Sequence, residues 1–256
     1  MKKSILLTAL LPALLFFQSC DDDFVGREQN TANYRQLNDS IQNLRLNDQD
    51  KLKLEFGRAF ALALKDKQEL RAIIKEEALK KFNKDYDVMY HLVKNRTLGS
   101  SNHTVRSLLV NYFEDENQLI KIENQLPLLT IFVPELPEDS FSAEKWDTSD
   151  PDQTPVVGIR LDGINEVPMI DAVNDYEYLL EADLIPGYPV VVIKNNERLV
   201  VNTGNHNFLN STDILDAGGG LTYMFLDNNF NNAMTPAVLT QYLDDPIGGS
   251  GNGGNP

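Results

Sequence analysis

The sequence predicts an α+β protein, in which an N-terminal bundle of short helices is followed by a β-rich, mainly antiparallel part. Apolar residues recur at helical spacing across residues 48–126. Short β-branched and aromatic runs, separated by turn residues, fill residues 127–245. The pattern changes at Pro127, and such segregation of helices and strands along a chain is typical of the α+β class.

The helical part predicts five short amphipathic helices. In the first, Leu52, Phe56 and Phe60 fall on one apolar stripe. The other four are predicted where a capping residue precedes an apolar run, at Asp66, Asp85, Thr104 and Asp115. Pro127 ends the last helix, because proline disfavours helical backbone in the residue before it.

The β-rich part predicts several short strands, over residues 128–133, 155–161, 167–170, 176–180 and 221–226. The strongest hairpin signal is the pair Asn195 and Asn196 between two apolar runs, because asparagine tolerates the left-handed turn conformation. Pro186 and Gly187 predict a type II turn. A short helix is predicted over residues 235–243, and residues 246–256 have the composition of a Gly/Asn-rich flexible linker or tail.

The first 19 residues predict a cleaved signal peptide. Lys2 and Lys3 precede the uncharged apolar run of residues 5–17. This run is shorter than the roughly 20 residues that a membrane-spanning helix needs, and its length suits the apolar region of a secretory signal. Residues 20–47 follow as an acidic and polar tether, with too few apolar side chains to offset the entropy of ordering.

Residues 17–20, Phe-Gln-Ser-Cys, resemble the lipobox of bacterial lipoproteins, in which a small residue precedes a cysteine that is acylated and becomes the N-terminus. Ser19 and Cys20 match this pattern, while phenylalanine and glutamine replace the usual leucine and small residue. The acidic run after the cysteine is similar to the export signal of Bacteroidota-type surface lipoproteins, and it comprises Asp21, Asp22 and Asp23. The resemblance implies a fatty-acyl (palmitate) anchor on Cys20 and a place in the outer membrane or at the cell surface.

The same comparison makes Ser40 a candidate for O-glycosylation, because residues 39–41 resemble the short acceptor motif of exported proteins from that group. Cys20 is the only cysteine, so no disulfide can form within the chain, and acylation would explain an unpaired thiol in an exported protein. Two or more acyl chains anchor a protein stably in a membrane.

The charge balance argues against nucleic acid as a partner. The formal net charge is −15, and loss of two lysines with the leader takes it to −17. Clusters of Lys and Arg bind the phosphate backbone of nucleic acids, and they also bind anionic lipid surfaces. The acidic balance is typical of a soluble body that repels other acidic surfaces.

Few side chains point to catalysis. The sequence has no G-x-S-x-G elbow, no H-E-x-x-H, no C-x-x-C and no phosphate-binding loop. His91 and His103 are interpreted as surface residues, and His206 is a weak metal candidate. Calcium is the better metal hypothesis, because three carboxylates lie close together in one loop, Asp147, Asp150 and Asp152. The alternative is an ordinary polar turn.

A binding role is the functional prediction. Trp146 lies in a polar loop, and Tyr176 and Tyr178 alternate along a strand; exposed aromatic faces of this kind can cover the apolar C–H patches of a sugar. Packing at a rim is the alternative for Trp146. The sequence therefore predicts a lipid-anchored envelope lipoprotein that binds a glycan or protein ligand, or acts as a scaffold. The alternative function is the N-terminal part of a larger secreted hydrolase or peptidase-like protein, with its catalytic domain beyond the linker.

Overall fold

The structure, a computed structural model, describes residues 41, 43–99, 102–137, 140–202 and 214–232 of the 256-residue chain. Within these residues the chain forms five α-helices and nine β-strands. The larger of its two sheets is mixed but mostly antiparallel, which confirms the predicted α+β class. Several sequence predictions fall outside the described residues, namely those for Cys20, Asp21, Asp22, Asp23, Ser40, His206 and residues 235–256.

Three of the five described helices begin at a residue whose side chain caps free backbone N–H groups. The five helices are α1 (Asp48–Asp66), α2 (Gln68–Leu79), α3 (Tyr90–Val93), α4 (Val105–Leu109) and α5 (Glu116–Gln125). The predicted caps Thr104 and Asp115 accept backbone hydrogen bonds in the first turns of α4 and α5. Asp66 is not the cap of α2. It is the last residue of α1, and α2 begins after Lys67, whose side chain makes no capping bond.

A strand lies where the sequence predicts the start of the third helix. Strand β1 (Asp87–Met89) pairs antiparallel with β2 (Leu129–Phe132), and the short helix α3 follows it. A buried strand of three residues is too short to show a period of two, so Met89 fits an apolar helix face equally well. The helix predicted from Asp85 is therefore wrong over its first turn.

The remaining strands are β3 (Val156–Ile159), β4 (Glu166–Asp171), β5 (Tyr176–Glu181), β6 (Val190–Asn195), β7 (Leu199–Val201), β8 (Ile214–Asp216) and β9 (Thr222–Phe225). The larger sheet has the order β1-β2-β6-β3-β4-β5, and the smaller has the order β7-β9-β8. Of the described strand pairs, only β3 and β6 run parallel, and the others are antiparallel. Among the described strands, β1 and β5 are therefore the edges of the larger sheet.

The predicted hairpin across Asn195 and Asn196 does not form, because β6 and β7 belong to different sheets. Asn196 is buried, its backbone N–H donates to Leu128 O at 2.8 Å, and its side chain donates to Asp87 at 3.2 Å. These bonds direct the chain from one sheet into the other. The type II turn at Gly187 is also wrong, because this glycine does not adopt the positive φ that the turn requires.

Strand register divides the larger sheet into two faces. Helix α1 packs across β3, β4 and β6 on one face, where Ile131, Ile193 and Ile159 form a fully buried row. These isoleucines share one apolar core with Phe56 and Phe60 of α1, so the helical and β-rich parts are joined by a common core. The opposite face carries a second row across five strands, Phe132, Val192, Gly158, Met169 and Tyr178.

Gly57 sets the distance between α1 and the sheet. A Cβ atom at this position would lie 2.2 Å from Cδ1 of Ile159. We expect Gly57→Ala to lower the free energy of unfolding by about 0–2 kcal/mol, because overpacking costs about 1–3 kcal/mol and removal of a helical glycine returns about 1 kcal/mol.

The same substitution should be neutral or stabilising in an Ile159→Val background, which lacks Cδ1. Denaturant unfolding of the wild type, both single variants and the double variant measures the coupling between the two positions. Additive effects would show that the clash with Ile159 does not limit the approach of α1.

Candidate functional site

Tyr176 and Tyr178, which the sequence singles out as ligand-binding residues, lie on one face of β5. Their ring centroids are 5.4 Å apart, and their register partners on β4 are Asp171 and Met169. Tyr176 is half-buried. Tyr178 is buried and shares a hydrogen bond with the Tyr188 hydroxyl; burial, the main cause, raises the pKa of Tyr178. The structure thus brings the two tyrosines together on the face opposite α1.

The backbone of β5 is paired along one side, because β4 is its only neighbour among the described strands. Just beyond the last register pair, the N–H of Ala182 donates to Asn165 O at 2.8 Å. Hydrogen-bonded and non-hydrogen-bonded pairs alternate along an antiparallel ladder. Every second residue of β5 therefore turns its backbone away from β4, and these residues are Glu177, Leu179 and Glu181.

One of the outward carbonyl groups already accepts a hydrogen bond within the chain. The Leu184 N–H donates to Glu181 O at 2.9 Å, in the turn that follows β5. Three N–H groups and the carbonyl groups of Glu177 and Leu179 remain along the outer edge without a hydrogen-bond partner among the described residues. Unpaired groups in a row of this kind form a template on which another extended chain can pair.

Carboxylates surround this edge. Glu177 forms a bidentate ion pair with Arg58 of α1, at 2.6 and 2.7 Å, and the bond raises the pKa of Arg58. Glu166 and Glu181 are exposed register partners on the same face of the sheet. Like charges directly opposite one another destabilise a strand pair. In the described part of the chain, neither of these two carboxylates has an ion-pair partner.

Apolar side chains stand exposed beside the C-terminal end of β5. Leu184 is 54% exposed and Ile185 is 64% exposed, and Asp183 precedes them. Adjacent exposed apolar residues with a charged rim are typical of interaction sites. We use the name "β5 edge surface" for this part of the molecule, which consists of strand β5 together with Glu166, Leu184 and Ile185.

Trp146 is fully buried, which corrects its predicted place in an exposed binding loop. Its Nε1 donates to Gln153 O at 3.0 Å, and its ring lies 5.9 Å from that of Phe141. Its carbonyl oxygen accepts a bond from Lys75 of α2 at 2.6 Å. Stacking on a sugar needs an exposed aromatic face. The geometry therefore supports a packing role for Trp146, in which it fixes its loop against α2.

Two of the three carboxylates of the calcium hypothesis, those of Asp147 and Asp150, accept hydrogen bonds in local turns. Asp147 accepts bonds from the hydroxyl and N–H of Ser149, at 2.7 and 2.9 Å, which hold the pKa of Asp147 below its usual range. Asp150 accepts a bond from the N–H of Asp152 at 2.9 Å. These contacts fit the polar-turn alternative. Over the described residues no group of three or more His, Cys, Asp or Glu side chains is placed to hold a metal ion, and calcium binding stays a prediction.

Two enclosed polar groups were not anticipated from the sequence. Asp87, the first residue of β1, is fully buried and accepts a bond from Asn83 at 2.7 Å. Among the described residues, its Oδ1 has no donor in hydrogen-bonding geometry, although Nζ of Lys194 lies 3.0 Å away. Burial raises the pKa of Asp87. His91, predicted at the surface, is buried with Nε2 3.2 Å from Leu126 O, and burial lowers its pKa. Both groups contribute to packing.

Comparison of the chain with known protein families, with curated proteins and with solved structures gave no match. Across the described residues, no helix has both the length and the apolar content needed to cross a bilayer. The β5 edge surface is the candidate site, because it combines exposed apolar side chains, outward backbone groups and unpaired carboxylates. The sequence indicated its two tyrosines but not its edge position, which depends on the order of the strands.

Proposed function

We propose that the chain is a lipid-anchored lipoprotein of the outer membrane, displayed at the cell surface, which binds a ligand through the β5 edge surface. The observation that carries the anchor is the single cysteine, Cys20, between an apolar leader and an acidic run. The tether of residues 20–47 would hold the folded body away from the lipid. The candidate site supports binding, because it offers exposed contacts around a strand edge.

The anchor is tested by Cys20→Ser in the organism of origin, with Ser19→Ala as the matched control. We expect Cys20→Ser to abolish acylation and release the protein from the membrane fraction, because the thiol is the acylation site. Ser19→Ala keeps a small residue before the cysteine and should be processed normally. Mass spectrometry of the N-terminal peptide reads out both results. A wild-type chain with an unmodified Cys20 would refute the proposed anchor.

Surface display is tested separately, by replacing the acidic run with Asp21→Asn, Asp22→Asn and Asp23→Asn together. We expect this variant to remain acylated and membrane-bound, but to become protected from protease added to intact cells. Protection shows that the run directs export across the outer membrane. If the triple variant is digested as readily as the wild type, these aspartates do not carry the export signal.

A further inference from the structure

The β5 edge surface has the features of a site for strand addition. An extended peptide can pair with an exposed sheet edge, where main-chain bonds supply affinity and alternate side chains supply specificity. The N–H groups of Glu177, Leu179 and Glu181 point away from β4, as their place in the ladder requires. Edge strands are usually protected by charged side chains, above all Lys, by Pro or by a bulge. Strand β5 contains no Lys or Pro and pairs with β4 in unbroken register, and its charged side chains are Glu177 and Glu181, which repel an acidic strand but not a basic one.

The two faces of β5 define the side chains of the incoming strand. Tyr176, Tyr178 and Leu180 lie on the face opposite α1; Tyr178 is buried, and the partly exposed Tyr176 and Leu180 offer an aromatic and an aliphatic contact. On the other face, Glu181 lies directly opposite Glu166, and both carboxylates are exposed. A cation on the added strand would relieve the repulsion between these two carboxylates. The matching segment therefore carries a basic residue on the rung of Glu181 and apolar residues on the opposite face.

We propose that the β5 edge surface binds an extended, cationic polypeptide segment of a partner protein as an additional strand of the larger sheet. The segment places a Lys or Arg side chain beside Glu181, on the rung that also contains Glu166, and its apolar side chains beside Tyr176 and Leu180. Leu184 and Ile185, at the end of β5, contact its terminal residues. The inference rests on the proposed binding role and names the ligand class, but it does not depend on the lipid anchor.

Charge favours such a partner over a second copy of this chain. Two copies joined through β5 would place the Glu177 and Glu181 carboxylates of one copy beside those of the other. Each chain also carries a formal net charge of −15, so the copies repel one another. A basic segment gains from the same charges, both in its rate of association and in its affinity.

The first test uses the full chain and a heptapeptide of alternating lysine and valine. We expect binding to slow amide hydrogen exchange at Glu177, Leu179 and Glu181, whose N–H groups become hydrogen-bonded. The amides of Tyr178 and Leu180 already bond to β4 and should change little. Binding without protection at the three outward amides would contradict strand addition. Protection of the same amides without peptide, together with dimerisation, would show that the occupant is a second copy.

Modified peptides test the backbone contacts. In an added strand, every second N–H of the peptide faces β5. N-methylation of one alternate set of amides should therefore abolish binding, while methylation of the other set should change the affinity by less than about twofold. Loss of binding with both sets, or with neither, would overturn the proposal. A heptapeptide of alternating glutamate and valine should not bind.

Two substitutions at Glu181 separate the contribution of its side-chain charge to binding from the contribution of its backbone N–H. Glu181→Gln removes the charge and should weaken binding of the lysine peptide about two- to fivefold, as expected for an exposed ion pair. Glu181→Pro also removes an outward N–H, and should weaken binding by about a further three- to tenfold. Proline is tolerated on an edge strand, and thermal unfolding checks that the variant is folded. Equal affinities for the two variants would exclude this N–H from the interface.

The outcomes distinguish this inference from the proposed function. An acylated, surface-displayed protein that binds glycans but not the lysine peptide would keep the proposed function and overturn strand addition. A protein that binds the peptide as described, but has an unmodified Cys20, would keep strand addition and overturn the anchor.

Discussion

Lys53→Ala is expected to lower the free energy of unfolding by about 3–5 kcal/mol. Lys53 and Asp50 are each 1% exposed, and Nζ of Lys53 lies 2.7 Å from Oδ1 of Asp50. The same ammonium group donates to Arg160 O at 2.9 Å and contacts Asp162 at 3.2 Å. These bonds fasten the first turns of α1 to the end of β3. Removal of the cation leaves the Asp50 carboxylate buried without its counter-charge.

The same helix supplies a matched control. Lys51 and Asp48 form an ion pair with the same three-residue spacing, at 3.1 Å, but their side chains are 57% and 90% exposed. Lys51→Ala should therefore cost less than about 1 kcal/mol, because water screens an exposed pair. Denaturant unfolding of the two variants gives the comparison. A cost for Lys53→Ala no larger than that for Lys51→Ala would show that burial does not strengthen this ion pair.

The elements that the sequence predicts correctly are those whose pattern is local. The stripe through Phe56 and Phe60 predicts α1, because residues four apart share a helix face, and both side chains are fully buried. Strands β4 and β5 are predicted from short runs of β-forming residues. They pair through a tight connection, in which Asp175 adopts the positive φ of a turn residue. In these segments the residues that interact are close together in the chain.

The predictions that fail depend on contacts between distant segments. Asn195 and Asn196 have the composition of a hairpin turn, but the bonds from Asn196 to Leu128 and Asp87 direct β7 into the second sheet. The parallel pairing of β3 with β6 likewise leaves no local signature. Strand order is set by such contacts, so the sequence could place Tyr176 and Tyr178 on one face but could not place them at an edge.

Trp146 illustrates the same limit for a single side chain. A tryptophan among polar residues can project into solvent or fold inward, and the choice depends on whether its indole N–H finds an acceptor when it is buried. Gln153, seven residues later, supplies that acceptor through its carbonyl oxygen. The polar residues around Trp146 then lie outside the core while the ring lies within it, and composition alone does not reveal this arrangement.

Trp146→Ala should consequently act on stability rather than on ligand binding. We expect it to lower the free energy of unfolding by about 3–5 kcal/mol, because it removes a fully buried aromatic ring and the bond to Gln153. Trp146→Phe keeps most of the ring volume and should cost less. Since Trp146 is the only tryptophan, its fluorescence follows unfolding of the wild type directly, and circular dichroism serves for the variants.

Tyr176→Ala is the opposite case, because the side chain is half-buried on the β5 edge surface. It should cost less stability than Trp146→Ala, but weaken binding of the lysine–valine peptide, since an aromatic contact on the face opposite α1 is lost. Trp146→Phe, measured below its unfolding transition, should bind that peptide as the wild type does. If Trp146→Phe lost binding while Tyr176→Ala retained it, the ligand would have to contact the Trp146 loop, and the assignment of the site to β5 would be wrong.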